Sequence, residues 1–390
     1  MRRSFRVAMV AACPFPCPRG TPTRILRLAE ALGRRGHEVH VVTYHIGEPV
    51  SGPFQVHRIG DVPGYRRTAP GPSARKLVQL DPALGVLLRD VLKRQAIELI
   101  HAHHYEGLLC ARWARRRGAV PLIYDAHTLL DSELPFYFPR GARGVARAAG
   151  RLLDGWLPPW ADEVVTVSAG IRAALLHRTR LLPEQITVVP NGVEDAWYGP
   201  AARAPANGAA GQRTLIFTGN LAPYQGIDLL LRSFRLVLDR LSNVKLRIVT
   251  GSSFAPYEEL ARELGVREYV ELVPDDVEHT AEYLAAADVA LNPRVVCAGT
   301  PQKLLNYMAA GTPIVSFKGS AAMLEHGHTA WLAVDADETS FADGALRCLD
   351  DPALAMAMAT EARHLARLHS WEAAAVTLET IYERLAGRCT

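Results

Sequence analysis

One lysine stands in the stretch CAGTPQKLLNYMAAGTPIVSF, residues 297–317, at the start of what the pattern predicts to be a helix. Thr300 can cap that helix and Pro301 suits its first turn. The free N–H groups there make an anion site, to which Lys303 adds a point charge. A diphosphate is the guest that such a site fits. Leu304, Leu305 and Met308 are expected to face a core, with Lys303 and Asn306 one turn apart on a common stripe. On residue types alone, a solvated lysine on a surface turn reads as well.

A second group of chemically capable side chains lies in the first half. His101, His103 and His104, with Glu106, end the strand-like run IELIHAH, and alternation puts His101 and His103 on one face. Two histidines on a face can begin a metal site, but no spaced third ligand is evident, so none is expected. Asp125 and His127 close the run VPLIYDAH. The carboxylate can orient or polarise a hydroxyl, or serve as an ordinary cap. A lone loop histidine is often structural, although a strand end is where function collects.

These groups need elements to hold them. FRVAMVAA, TPTRILRLAEALGRRG and HEVHVVTY make one βαβ unit, with Ile25, Leu28, Ala29 and Leu32 at helical spacing and Gly36 able to end the helix. The rhythm returns in IELIHAH, VPLIYDAH, DEVVTVS and ITVVPNG. After an Ala/Gly/Pro-rich stretch it returns again in TLIFTGN, VKLRIVTG, YVELVPD, ADVALNP, TPIVSF and TAWLAV. Short runs with few charges are expected of parallel strands covered on both faces. The expected organisation is a domain over 1–193, a linker over 194–213 and a second domain over 214–370. A last helix over 371–390, capped by Ser370, is expected to pack back across the junction. In open sheets of this kind, ligands sit beyond the carboxyl ends of the strands.

Composition narrows the classes. At 390 residues with 22% charged, the chain has the balance of a soluble two-domain protein, and no stretch approaches the roughly 18 unbroken apolar residues of a spanning helix. The opening MRRSFRVAMVAAC has the outline of a lipoprotein signal, but its apolar run is short and a βαβ pattern begins inside it. Six scattered cysteines fit a reducing cytoplasm, and a formal charge of +4 is too small to argue for nucleic acid. Only five of the 44 basic residues are lysines, which makes Lys303 an exception to the chain's arginine preference.

Residues 134–160 stand apart. Arg140, Arg143, Arg147 and Arg151 share a helical stripe flanked by Phe136, Tyr137, Phe138, Trp156 and Trp160. An anionic membrane surface or a phospholipid-linked partner would suit it, which would put the protein at the inner face of the membrane; a solvated face is the plain alternative.

The segments PFPCPRGTPTRILRLAEALGRRGHEVHVVT, ADEVVTVSAGI, VVPNGV, FTGNLAPYQGIDLLL and PQKLLNYMAAGTPIV, with EHGHTAWL after it, resemble the retaining nucleotide-sugar glycosyltransferases of glycosyltransferase family 4. They span most of the chain in the family's order. VPNGV followed by YMAAGTPIV is fairly specific, whereas RGHEVHVVT is shared by many βαβ proteins. The resemblance implies the GT-B fold, an α/β arrangement of two Rossmann-like parallel-sheet domains facing a cleft. It also implies a hexosyltransferase that moves a sugar from a nucleoside-diphosphate sugar to a sugar, lipid-linked or small-molecule acceptor, with retention of configuration and without a metal or other cofactor.

On that resemblance Lys303 and His127 are the catalytic positions, with His127 near the transferred sugar. The donor side would comprise Gly20, Gly219, Asn220, Gln225, Val273 and Arg294, continuing through Gly299, Thr300, Pro301, Leu304, Leu305 and Asn306. Arg19, Thr21, His103, His104, Glu106 and Asp125 would lie on the acceptor side.

Departures accompany the match. The family usually carries a glutamate where Asn306 stands and another where Ala298 stands. A Gly-Gly loop is usual at Gly20–Thr21, and an Arg and a Lys in the loop where GNLAPYQG offers Asn220 and Gln225. Neutral amides can hydrogen-bond phosphate but cannot cancel its charge, which leaves Lys303, the helix N-terminus and Arg294 to do so. Two other readings stay open: a nucleotide-sugar epimerase or phosphorylase on the same fold, and a non-catalytic partner protein.

Overall fold

The computed structural model describes residues 3–17, 20–68, 71–115, 120–198, 211–275, 277–297, 299 and 301–387. The chain forms two compact units, one built from the residues up to Asn191 together with those from Trp371 onward, the other from Gly192–Ser370.

In the first unit the largely apolar runs become β1 (Arg6–Ala11), β2 (Glu38–Thr43), β4 (Leu99–His103), β5 (Leu122–Ala126), β6 (Glu163–Thr166) and β7 (Ile186–Val188). One further strand, β3 (Gln55–Arg58), has no counterpart in the sequence reading. The sheet order is β3-β2-β1-β4-β5-β6-β7 and every pairing is parallel. Helix Gly20–Arg34 lays Ile25, Leu28, Ala29 and Leu32 on the face carrying Val7 and Met9, and Gly36 follows it at φ +94°.

The final helix, Trp371–Gly387, belongs to this same unit. Leu378, Ile381, Tyr382 and Leu385 enter the core beside Ile25 and Leu28. Arg35 clamps it with a two-pronged bond to Glu379, at 2.6 and 2.7 Å, and Arg384 makes the equivalent pair with the enclosed Glu163 of β6, at 3.0 and 2.9 Å.

The second unit repeats the plan with β8 (Arg213–Thr218), β9 (Val244–Val249), β10 (Val270–Val273), β11 (Val289–Asn292), β12 (Ile314–Phe317) and β13 (Trp331–Ala333), again wholly parallel, in the order β10-β9-β8-β11-β12-β13. Successive residues of β8 serve opposite faces. Leu215 and Phe217 pack with Ile227, Phe234 and Phe341, while Ile216 packs with Leu304, Leu305 and Met308. Of the expected linker, residues 199–210 lie outside the described residues, and Asp195–Trp197 is a single turn whose Trp197 is buried in the second unit's core. Among the described residues no helix is long and apolar enough to cross a membrane.

A chain ending at Ser370 would strip the first unit of the side chains that cover Phe5 and His101. It is expected to aggregate, or to lose one cooperative thermal transition. A truncated chain melting at the full-length temperature would show the last helix to be an appendage.

Candidate active site

In each unit the strand order reverses direction once, between β1 and β4 and between β8 and β11, and the loops leaving the carboxyl ends of such neighbouring strands diverge to open a crevice. Many of the described sequence-predicted residues lie on the elements that meet at these two places.

In the second unit, Lys303 lies on helix Gln302–Ala310, which follows β11, and reaches toward the loop after β8. Its Nζ donates a 2.7 Å hydrogen bond to Gln225 Oε1 and stands 3.9 Å from the centre of the Phe217 ring. Gly219 lies alongside, where a Cβ would make only an ordinary contact with Nζ at 3.6 Å; it is the backbone, at φ +122°, that favours glycine. Among the described residues no carboxylate pairs with the ammonium. Desolvation by the surrounding protein lowers its pKa well below the usual lysine range, and Arg294 adds a like charge that pushes the same way.

The loop holding Gln225 is itself stiff. Gly226 takes φ +72°, and a Cβ there would meet Pro293 O at 2.2 Å, so only glycine lets this turn close against the chain after β11. Asn220 is exposed and turns back on its own loop, accepting from the Ala222 amide at 3.1 Å and donating to the Tyr224 hydroxyl at 3.2 Å. Arg294 stacks on the Tyr224 ring at 5.0 Å. Asn306 Oδ1 faces the Gln302 amide at 3.5 Å, and Val273 closes β10 with its carbonyl accepting from Thr250.

Two donor-side assignments change character. Leu304 and Leu305 are buried in the core, as their apolar side chains demand, so only their main chain can serve a ligand. Pro301 occupies the position before the helix, and the Leu304 amide bonds back to its carbonyl. Arg19, Ala298 and Thr300, the last expected as a cap, lie outside the described residues; Gly299 is described only as part of a bend.

In the first unit Asp125 is the centre. Its fully enclosed carboxylate accepts from Arg24 Nε at 2.9 Å, with His101 Nε2 at 3.3 Å and His103 Nδ1 at 3.5 Å from the same oxygen. Burial alone would raise this carboxyl, but the Arg24 guanidinium, with His127, holds it well below the usual range. The stacked His101 and His103 rings, 4.4 Å apart, confirm the shared face. The third group that the spacing did not reveal is Asp125, on the adjacent strand, and the three ligand atoms lie within 4.8 Å of one another. Arg24 already presents a cation to that oxygen, which opposes a metal at the same place.

His127 extends this network outward: Nε2 lies 3.2 Å from His103 Nδ1, and Nδ1 lies 3.0 Å from Thr21 Oγ1. Desolvation lowers both imidazoles, His103 well below the usual value, so they are neutral near pH 7. Being buried, Asp125 and His103 serve an acceptor only through His127. Gly20 begins the first helix and is exposed. His104 takes the left-handed backbone, φ +62°, between β4 and the following helix, and lies 3.0 Å from Glu106 and 3.2 Å from Glu133. Burial would lower it, but Glu133 and Glu106 prevail and push it up to about 10. Lys76 completes the cluster through a short contact with Glu106.

Arg24, Phe217, Lys76 and Glu133 are therefore members of these clusters that sequence reasoning missed. Arg24 alone left a signal, as a charge beside Ile25 on the helix's apolar arc.

A family model described as Glycosyltransferase Family 4 matches residues 18–197, and one described as Glycosyl transferases group 1 matches residues 212–351. The chain is 26% identical to a D-inositol 3-phosphate glycosyltransferase of Thermobispora bispora, over 98% of this chain and 95% of that one. It is 23% identical to a phosphatidyl-myo-inositol mannosyltransferase of Mycobacterium leprae, over 98% and 97%. Among solved structures, a sucrose-phosphate synthase from Thermosynechococcus elongatus superposes with a TM-score of 0.82 at 21% identity, covering 99% of this chain and all of that one. The Anabaena protein HepE, solved with UDP and glucose, gives 0.70 at 18%, covering 98% and 99%.

Arg24→Met would leave the Asp125 charge enclosed without its partner. Loss of one member of such a pair typically costs about 3–5 kcal/mol, and that is the decrease expected in a urea titration. Adding Asp125→Leu should recover part of it.

Proposed function

Since the chain belongs to glycosyltransferase family 4, we propose that it transfers a sugar from a nucleoside-diphosphate sugar to a hydroxyl-bearing acceptor with retention of configuration. The observation that carries the reading is Lys303: a largely enclosed ammonium, at the switch point of the second sheet, with a neutral amide and an aromatic ring for neighbours and, among the described residues, no carboxylate partner. Such a group lacks only an anion. The diphosphate of a donor supplies one, and the negative charge on its leaving oxygen grows as the bond to the sugar carbon breaks. On this reading the acceptor oxygen bonds to the sugar carbon from the side the diphosphate leaves, and the acceptor's proton departs on the diphosphate.

The acceptor would meet the first unit, where His127, His104, Glu106 and Glu133 offer hydrogen bonds suited to hydroxyls. The curated relatives are named for inositol-type acceptors, and a polyol or sugar is the acceptor class we assign. His127→Ala is expected to lower kcat more than it raises the donor KM, because on this reading its contact would be made to the transferred sugar, where charge develops.

Titration calorimetry with nucleoside diphosphates tests the donor site. In the free protein Lys303 is shifted down, and a bound diphosphate would raise it again. Between the two values binding must therefore take up a proton, and affinity must fall as pH rises through that window. Heats measured in two buffers of different ionisation enthalpy should reveal this uptake in the wild type and not in Lys303→Met. Equal uptake by both would remove the lysine from the site.

Lys303→Met should also lower kcat by about 100-fold or more, the usual cost of one preorganised donor. Adding Gln225→Lys should restore part of it, because that side chain lies within 2.7 Å of the ammonium it would replace. Conversion of a nucleotide sugar without acceptor would instead indicate an epimerase.

A further inference from the structure

Helix Arg143–Trp156 of the first unit has three distinct sides. Ala146, Gly150 and Asp154 face inward, and Arg143, Arg147 and Arg151 run along one flank at spacings of four. Val145, Ala148, Leu152 and Trp156, at spacings of three and four, form an outward apolar side; Val145 is 74% exposed, Leu152 73% and Trp156 57%. Phe136 and Phe138, in the turns before the helix, are exposed as well, and so is Arg140. The one acid in residues 134–160, Asp154, is buried, accepting from the Leu130 and Asp131 amides and from Arg178. Among the described residues Arg140, Arg143 and Arg147 have no acidic partner. Beside Leu152 and Trp156 lies an open hollow of ≈ 750 Å³, also lined by Arg151, Gly155, His177 and Arg178.

We propose that this helix and the aromatic turn before it dock on an anionic lipid bilayer, the helix lying in the plane of the interface. An apolar side that faces away from the protein's own core suits an apolar guest, and Arg140, Arg143 and Arg147, unlike Arg151, which lies 3.9 Å from Asp131, are left to meet phosphates at the same depth. A bilayer of anionic lipids offers both together. A second copy of the chain fits less well, since a two-fold contact through this face would set arginines against arginines. A nucleic acid would match the charge and leave the aliphatic side chains without a counterpart.

The full chain, without donor or acceptor, should sediment with vesicles of equal parts phosphatidylglycerol and phosphatidylcholine and stay in solution with phosphatidylcholine alone. Because the readout is vesicle binding, it does not depend on the transferase reading. Arg140→Glu/Arg143→Glu/Arg147→Glu, at exposed positions, should weaken binding on the order of 100-fold with an unchanged melting temperature, and high salt should release the wild type. Leu152→Ser/Trp156→Ser is the independent arm, expected to weaken binding even at low salt. The blue shift of tryptophan emission on adding anionic vesicles should also be smaller in Trp156→Phe. Equal sedimentation with neutral vesicles would overturn the proposal, as would undiminished binding by either multiple variant. So would self-association in sedimentation velocity that Leu152→Ser abolishes while the wild type ignores vesicles.

Discussion

Asp125 keeps its negative charge in a place that water does not reach, and much of the first unit is arranged so that it can. Arg24, from the first long helix, supplies the opposing charge and is itself tied to Asn191 Oδ1 at 3.0 Å, at the end of the unit's first stretch of chain. His101 and His103 approach from β4, and Tyr382 reaches His101 from the last helix at 3.0 Å. Segments far apart in sequence thus converge on one carboxylate. An enclosed charge of this kind is costly unless every partner is in position, so the pair does less to stabilise the fold than to specify it. It also gives His127 a defined place, since that ring is held between His103 and Thr21.

Lys303 in the second unit is treated in the opposite way. Asp125 receives a counter-charge from within the chain and stays ionised, whereas Lys303 receives an amide oxygen and a ring face and is driven toward the neutral form. The first arrangement is complete as it stands and serves orientation. The second leaves the ammonium without a counter-charge among the described residues, and the free energy so withheld would be recovered if an anion bound.

The sheets were legible because most of their strands are short, apolar runs with few charges, a pattern that leaves parallel strands few alternatives. β3 escaped notice for the converse reason. Gln55–Arg58 is polar, half-buried and paired only to β2, so it carries little of that signature. Alternation correctly placed His101 and His103 together, but their partnership with Asp125 runs across strands, through the register that sets His103 beside Asp125. Period-two reasoning along one strand cannot see such a neighbour. Phe217 was readable as a core residue of β8, and it is one; that its ring face also carries a lysine depends on how the helix after β11 enters. Leu304 and Leu305 show the limit of assignment by likeness, for their side chains answer to the core whatever the main chain binds.

The departures from the family pattern acquire a common physical sense in this geometry. The loop after β8, where the family usually places an Arg and a Lys, offers Asn220 and Gln225, and neither can neutralise a leaving diphosphate. Lys303 extends from the neighbouring helix across the switch point until its ammonium meets the Gln225 amide and the open side of Gly219. Lys303, carried by a different element, is thus the group placed to supply a cation there once an anion binds. A lysine in the loop itself would repel an ammonium at 2.7 Å, so the neutral amide is what allows Lys303 to sit there.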